Sequence, residues 1–300
     1  MMADVQREGS SKRACMKKIG NAIKWMAGIL LVILLCAVGC IWYAVKIEPY
    51  MVRTKELALD TSLSEPLTIV QVSDIQISEN YTIHHFQKVV DRIISLEPDI
   101  LLFTGDLYEN YAAYHDNENL VSQLSQIQPR YGKFAIWGNR DYGGGAVRQY
   151  QQLMEASGFY LLQNEGVTVT TDSGEQLLLA GLDDALLGEP DLQPVIAQYS
   201  PDNYPCSILM IHEPDLADQY AQDGFDLMLA GHSHGGQVDV PFLPPLTTSL
   251  AEKYQKGLYQ LNDDTALYVN CGIGTSHYPV RFGVPPELTV FCLNPRSINN

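Results

Sequence analysis

The longest apolar segment of the chain lies near its N-terminus and contains no charged residue from position 25 to position 45. A helix of that length spans roughly 31 Å at about 1.5 Å per residue, which matches the hydrocarbon core of a bilayer. Trp25 stands at one end, and Trp42 and Tyr43 stand near the other, as aromatic residues do at membrane interfaces. The pattern therefore predicts a membrane-spanning helix over residues 25–45.

Beyond residue 66 the pattern changes to short apolar runs that alternate with amphipathic segments, which predicts an α/β fold. The predicted strands cover residues 67–72, 100–104, 133–137, 159–162, 167–171, 176–182, 207–211, 227–230, 257–260, 266–270 and 287–293. The predicted helices cover residues 86–96, 117–127, 146–157 and 215–222. Residues 172–174, Asp-Ser-Gly, predict a hairpin turn between two of the strands.

These patterns divide the chain of 300 residues into four parts. We predict a basic tail over residues 1–24, the membrane helix over 25–45, a polar connector over 46–66 and one α/β domain over 67–300. A hydrophobic content of 46% is ample for a core of that size. The six cysteines form no CxxC pair, so the sequence indicates neither a disulfide framework nor a zinc knuckle.

Charge is distributed unevenly along the chain. Residues 1–24 carry a net charge of +4, which leaves −20 on the remainder. The positive-inside rule then predicts a cytoplasmic N-terminus and a domain on the other side of the cell membrane. A domain this acidic repels polyanions, which argues against duplex nucleic acid as a partner.

Cleavage of the N-terminal segment is the competing interpretation of the same residues. The sequence Ala-Val-Gly-Cys at positions 37–40 resembles a signal-peptidase or lipoprotein site. However, the apolar run continues beyond Cys40, so we favour a helix that is retained.

Polar residues that can bind a metal ion follow the apolar strands of successive βα units. These residues are Asp74, Gln76, Asp106, Asn139, His212, His232 and His234. Because the carboxyl ends of strands in an α/β sheet meet along one edge, we expect these side chains to converge. Each has a structural alternative, such as a turn former at Asn139 or a core histidine at His212. Their recurrence at the same point of successive units predicts a joint metal site.

The ordered motifs at these positions resemble those of the calcineurin-like metallophosphoesterases, in particular their membrane-anchored bacterial branch. The motifs are Asp-Ile-Gln at 74–76, Gly-Asp at 105–106, Gly-Asn-Arg-Asp at 138–141, His at 212 and Gly-His-Ser-His at 231–234. The resemblance extends over about residues 50–295. It implies a four-layer α/β/β/α sandwich of two mixed sheets.

The resemblance also implies a pair of divalent ions. The implied ligands are Asp74, Gln76, Asp106 and His234 for the first ion, and Asp106, Asn139, His212 and His232 for the second. Mixed nitrogen and oxygen ligands favour Mn, Fe or Zn over Ca or Mg. A metal-bridging hydroxide would attack phosphorus in line, while the cations offset charge on the phosphoryl oxygens.

Two positions depart from the family pattern. Gln76 stands where a histidine is usual, and an amide oxygen is the weaker donor, so the first ion would bind more loosely or be a harder metal. Arg140 also replaces a histidine; it cannot act as a general acid near neutral pH, but it can clamp a phosphate oxygen. We expect Arg140 and Asp141 to be the catalytic residues. Gly-Asn-Arg-Asp also occurs in the UDP-diacylglucosamine pyrophosphatases of the same superfamily, where the leaving group is already a good anion.

Together these features predict a single-pass, membrane-anchored hydrolase. Its substrate would be a phosphoric ester or pyrophosphate of a small molecule, a lipid or an envelope component. Two other interpretations stay open. One is a catalytically weakened metal-binding or scaffold domain, in which Gln76 and Arg140 record lost activity, and the other is a receptor-like phospholipid binder.

Overall fold

The computed structural model of the protein describes residues 2–242 and 244–296, and it describes the side chains of the N-terminal helix from residue 16 onward except residues 19 and 22. The chain forms two compact units, Met1–Lys46 and Ile47–Asn300. Helix α1 (Met2–Lys46) makes up the first unit and contains the predicted span of residues 25–45. Its apolar part falls within Met16–Tyr50, a segment long and apolar enough to cross a membrane.

The second unit contains two six-stranded sheets. The strands are β1 (Arg53–Thr61), β2 (Leu67–Val72), β3 (Ile100–Phe103), β4 (Lys133–Ala135), β5 (Phe159–Leu161), β6 (Glu165–Thr170), β7 (Gln176–Gly181), β8 (Ser207–Met210), β9 (Leu227–Ala230), β10 (Gly257–Gln260), β11 (Ala266–Val269) and β12 (Glu287–Pro295). Their order is β1-β12-β2-β3-β4-β5 in one sheet and β10-β11-β9-β8-β7-β6 in the other. Both sheets are mixed, because β12 runs antiparallel to β2, and β10 and β6 run antiparallel to β11 and β7.

The helices flank these sheets. They are α2 (Ile83–Ser95), α3 (Asn117–Leu124), α4 (Asn139–Gly143), α5 (Tyr150–Ala156), α6 (Gln193–Gln198) and α7 (Ala217–Tyr220). Helix α2 packs on its sheet because one of its faces is apolar. The buried residues of that face recur at helical spacing and are Phe86, Val89, Val90 and Ile93. The predicted helix over residues 215–222 is shorter than expected, because its first turn is a 3-10 helix, Pro214–Leu216.

Three apolar cores define the layers of the second unit. The central core lies between the sheets and joins residues such as Ile69 and Leu102 to Leu179 and Met210. An outer core packs α2, α3 and α5 on the first sheet, and another packs α6 and α7 on the second. This arrangement confirms the predicted four-layer α/β/β/α sandwich.

The predicted connector over residues 46–66 needs correction. Nine of its residues form β1, which pairs in parallel with β12 from Arg53 opposite Glu287 to Thr61 opposite Pro295. The strand lies at the edge of its sheet, where the half-buried Leu57 and Leu59 alternate with exposed Glu56, Ala58 and Asp60. Its partner lies more than two hundred residues later in the chain, so local pattern gave little sign of it.

Candidate metal centre

The predicted ligands follow strands of both sheets. Asp74 and Asp106 follow β2 and β3, and Asn139 begins α4 after β4. His212 and His232 follow β8 and β9 of the other sheet. The carboxyl ends of these strands therefore lie side by side in the two sheets, and all seven predicted residues come together there. Their role as ligands stays a prediction.

Asn139 lies at the centre of one group. Its Oδ1 is 3.2 Å from Nε2 of His212 and 3.0 Å from Nδ1 of His232. Nε2 of His212 is also 3.4 Å from Oδ1 of Asp106. Four donor atoms thus face one another across distances that a shared cation can bridge, and they are the set predicted for the second ion.

Asp74 and Gln76 form the other group with His234 and Asp106. Oδ1 of Asp74 is 3.5 Å from Nε2 of His234, and Nε2 of Gln76 donates to Oδ2 of Asp106 over 3.2 Å. Oδ1 of Asp74 and Oε1 of Gln76 are buried and have no hydrogen-bond partner among the residues that the structure describes. A buried acceptor left unpaired costs about 1–3 kcal/mol, and a cation bound between Asp74 and His234 would satisfy the Asp74 oxygen. The donor set therefore fits the implied metal.

Backbone carbonyls orient two of the imidazoles. His212 Nδ1 lies 2.6 Å from the Thr104 carbonyl oxygen, and His232 Nε2 lies 2.8 Å from that of Ser249. A proton on each of these nitrogens is donated to the carbonyl, so the opposite nitrogen faces the site. Both rings are thereby oriented so that, when neutral, they would present a lone pair to a metal ion.

The buried charges act on one another. Burial raises the pKa of Asp106, but the charge and hydrogen bond of His212 and the Arg140 backbone N–H outweigh it and leave the pKa at about 2. Burial raises the pKa of Asp74 to about 6. Burial, together with the charge of His212, lowers the pKa of His232 to about 4, which favours the neutral ring that binds metals.

Five of the seven residues have left-handed backbone conformations. The φ angles are 48° at Asp74, 46° at Gln76, 64° at Asp106, 65° at His232 and 50° at His234. Residues other than glycine rarely adopt this region, and such strain clusters at functional sites. Sequence pattern carries no signal for it, since aspartate and histidine occur in ordinary loops as well.

Two motif glycines allow the backbone to approach the ligands closely. A Cβ at Gly231 would collide with the side chains of Ser73 and Asp74, and one at Gly138 would collide with Asp106. The glycine of each motif is therefore required by the packing of its own site.

Asp141 lies behind the site. Its completely buried carboxylate accepts N–H bonds of 2.9 Å from Asp106, Leu107 and Gly138. These contacts hold the Asp106 loop against the start of α4. Arg140 lines the cavity, whereas Asp141 does not. The two residues predicted to be catalytic therefore occupy different surroundings.

Arg140 lies at the wall of a cavity of about 360 Å³ that opens over the two groups. Its Nη2 donates to Ser276 Oγ over 2.9 Å and lies 2.8 Å from His277 Nδ1. Glu109 approaches the same nitrogen at 3.5 Å. Nη1 and Nε make no hydrogen bond with the residues that the structure describes, so their N–H groups are available to a ligand.

Arg281 is a residue of the site that the sequence pattern did not predict. Its guanidinium is fully buried and donates to the carbonyls of Cys271, Gly272, Gly274 and Val284. Nη2 also lies 3.4 Å from Nδ1 of His234. An arginine within a glycine- and proline-rich segment was the available signal, because such segments leave carbonyls without ladder partners.

Comparison with known proteins agrees with this geometry. A family model described as calcineurin-like phosphoesterase matches residues 67–236. The chain is 36% identical over 285 residues to the uncharacterized metallophosphoesterase YkuE of Bacillus subtilis, with 93% of this chain and 99% of that protein covered.

Two more distant relatives are longer proteins. An uncharacterized metallophosphoesterase of Campylobacter jejuni is 30% identical over 77% of this chain and 60% of its own length. A bovine transmembrane protein with metallophosphoesterase domain is 28% identical over 76% of this chain and 53% of its own length. The chain therefore spans little more than half of each. The matched motifs and the near-complete match to the Bacillus protein show that this chain belongs to the calcineurin-like phosphoesterases, a family of metal-dependent hydrolases.

Proposed function

We propose that this protein is a membrane-anchored dinuclear phosphohydrolase that cleaves a phosphoric ester or pyrophosphate bond. The observation that carries the proposal is the position of the Asp106 carboxylate between the two groups. Its Oδ1 faces His212 and its Oδ2 faces Gln76, so one residue can contribute an oxygen to each of two ions.

The donor chemistry supports Mn, Fe or Zn at both positions. Asp74, Gln76, Asp106 and His234 would hold one ion, and Asp106, Asn139, His212 and His232 would hold the other. A half-turn of the Gln76 amide exchanges its oxygen and nitrogen and would bring Oε1 toward Asp106. When bound, the ions would lower the pKa of an attacking water and offset charge on the phosphoryl oxygens.

Arg140 has the chemistry of a substrate clamp. Nη2 is held by Ser276 at the cavity wall, which leaves the N–H groups of Nη1 and Nε to donate to phosphoryl oxygens. Arginine cannot protonate a leaving group near neutral pH. The site therefore suits a substrate whose leaving group departs as a stable anion, such as a phosphate or a phenolate.

Asp141 acts through its neighbours in this proposal. The three hydrogen bonds that its carboxylate accepts from backbone N–H groups fix the Asp106 loop and the first turn of α4, which also carries Asn139 and Arg140. We therefore assign Asp141 a positioning role, and Arg140 the contact with substrate.

The N-terminal helix supports anchorage to a membrane, and a bovine relative is named as a transmembrane protein. The basic segment over residues 1–24 favours a cytoplasmic N-terminus. This orientation would place the hydrolase outside the cytoplasm, next to lipid and envelope phosphoesters.

The test is turnover of bis-p-nitrophenyl phosphate by the full-length protein with added Mn. Asp106→Ala and His232→Ala should each lower kcat/KM on the order of 10³-fold, as removal of a charge-stabilising group does. The exposed Asp91→Ala on α2 is the matched control and should leave it unchanged. Metal binding without turnover in the wild type would favour the weakened scaffold instead, and turnover that persists in both site variants would refute the assignment.

A further inference from the structure

Large apolar side chains stand exposed at the mouth of the cavity. Leu246 and Tyr278 line it with 63% and 74% of their surfaces exposed, and Leu186 lines it on another side. Exposed apolar residues that cluster at a concave site mark a surface for a ligand more often than scattered ones do. The same cavity is lined at its floor by Gln76 and Asp106.

The apolar rim, defined here as Leu186, Leu246 and Tyr278, is fixed to the metal centre by the backbone. A Cβ at Gly236 would lie 2.8 Å from the Leu246 carbonyl oxygen, so the rim loop packs directly on the turn that follows His234. Farther along this loop, the Ser249 carbonyl accepts from His232. Leu246 therefore keeps a set position relative to the floor.

The lining of the cavity combines charged and polar residues with uncharged ones. Asp106, Arg140 and the imidazoles of His232, His234 and His277 lie among its lining residues. Around Leu246 the lining residues are Thr247 and Thr248, which carry no charge. When the phosphoryl group of a molecule binds at the floor, the rest of that molecule extends past the rim toward solvent. The part that passes the rim contacts apolar surface.

We propose that the apolar rim is a subsite for the hydrocarbon chain of the substrate, so that this hydrolase acts on amphiphilic phosphoesters. The inference rests on the proposed function and names its substrate class. A hydrocarbon chain fits better than a protein partner because the rim is continuous with the phosphoryl floor inside one cavity. The chain also carries its own apolar helix, which would hold the site near lipids.

Two esters that differ in their chain alone test the subsite in the full-length protein reconstituted in nanodiscs with Mn. Methyl and hexyl p-nitrophenyl phosphate each react with one water: the bond from phosphorus to the phenolic oxygen breaks, and p-nitrophenolate, an alkyl phosphate and a proton are released. The wild type should show a kcat/KM for the hexyl ester about tenfold above that for the methyl ester, expressed mainly in KM.

Variants of the rim give the decisive comparison. Leu246→Asn should bring the hexyl-to-methyl ratio close to one, whereas the conservative Leu246→Met should keep it. Leu258→Asn is the matched control and should keep the ratio as well, because Leu258 is an exposed leucine on β10 outside the lining of this cavity. Equal rates for the two esters in the wild type, or an unchanged ratio in Leu246→Asn, would overturn the proposal.

Failure of the proposed function gives a different result. In that case neither ester is turned over, and calorimetric titration with hexyl phosphate and methyl phosphate tests the rim. Tighter binding of hexyl phosphate that is lost in Leu246→Asn supports the subsite, and equal affinity of the two phosphates overturns it.

Discussion

Gln76 offers an amide oxygen at a position where the family pattern has an imidazole. Its Oε1 is buried without a hydrogen-bond partner among the described residues, and its amide nitrogen faces Asp106. An amide oxygen is a weaker donor than an imidazole nitrogen toward Mn, Fe or Zn. The residue therefore sets how tightly the first ion is held, independently of the shape of the site.

We expect Gln76→His to strengthen Mn binding. The Mn concentration for half-maximal activity should fall roughly tenfold, which corresponds to about 1.4 kcal/mol. Titration of activity with Mn measures it, with the exposed Gln151→His on α5 as the matched control. If the Mn concentration for half-maximal activity is unchanged in Gln76→His, or falls as much in the control, the result would argue against this position as a ligand.

Asp141 tests the positioning role. In Asp141→Asn one oxygen must serve three N–H donors, and the amide nitrogen cannot accept from any of them. We expect a loss of about 1–3 kcal/mol in the free energy of unfolding and a 10–100-fold loss of Mn affinity. Thermal unfolding in chelator and Mn titration measure the two effects, and Asp91→Asn serves as control. Unchanged Mn affinity would leave Asp141 with a structural role only.

The turns after the strands carry the site, and their glycines determine its geometry. Gly231 follows β9 and packs against Ser73 and Asp74, which follow β2 of the other sheet. His232 N–H then donates to Asp74 Oδ2 over 2.9 Å. One turn from each sheet thus locks the other, and neither could shift without moving a ligand.

Gly231→Ala should damage activity more than stability. The added methyl group must displace Asp74, and a shift near 1 Å in a catalytic group costs on the order of 100-fold in rate. The control is Gly174→Ala, which also adds a methyl group but meets nothing within 4 Å at a hairpin turn. Its positive φ should lower stability without changing kcat/KM. Equal activities of the two variants would contradict this account.

The strands other than β1, the hairpin turn at Gly174 and the positions of polar residues after β2, β3, β8 and β9 could be predicted from sequence, because each depends on local periodicity. What local pattern lacked was the long-range pairing of β1 with β12. It also lacked the left-handed backbone at Asp74 and His232, and the Ser249 carbonyl that orients His232. These features arise only when distant segments meet.

Helix α1 extends beyond the apolar segment. It begins at Met2 and so includes most of the basic tail predicted over residues 1–24. Charged residues such as Arg and Lys are good helix formers, so their presence does not end a helix. The apolar pattern marked the part of the helix suited to a bilayer rather than the helix itself.

Charge distribution along the full chain predicts its orientation in the cell. In intact cells a membrane-impermeant maleimide should label Tyr160→Cys, an exposed position on β5. Lys17→Cys should react after permeabilisation alone, because it lies in the basic segment before the apolar helix. Both variants are made in a Cys15→Ser background. Labelling of Lys17→Cys in intact cells would reverse the proposed orientation.

The metal content of the purified full-length protein tests the central claim most directly. After saturation with Mn and dialysis, mass spectrometry of the metal should find about two Mn ions per chain in the wild type. Asp106→Asn, which weakens the residue shared by both groups, should retain fewer than one. One ion or none in the wild type, or two ions retained by Asp106→Asn, would contradict the dinuclear site.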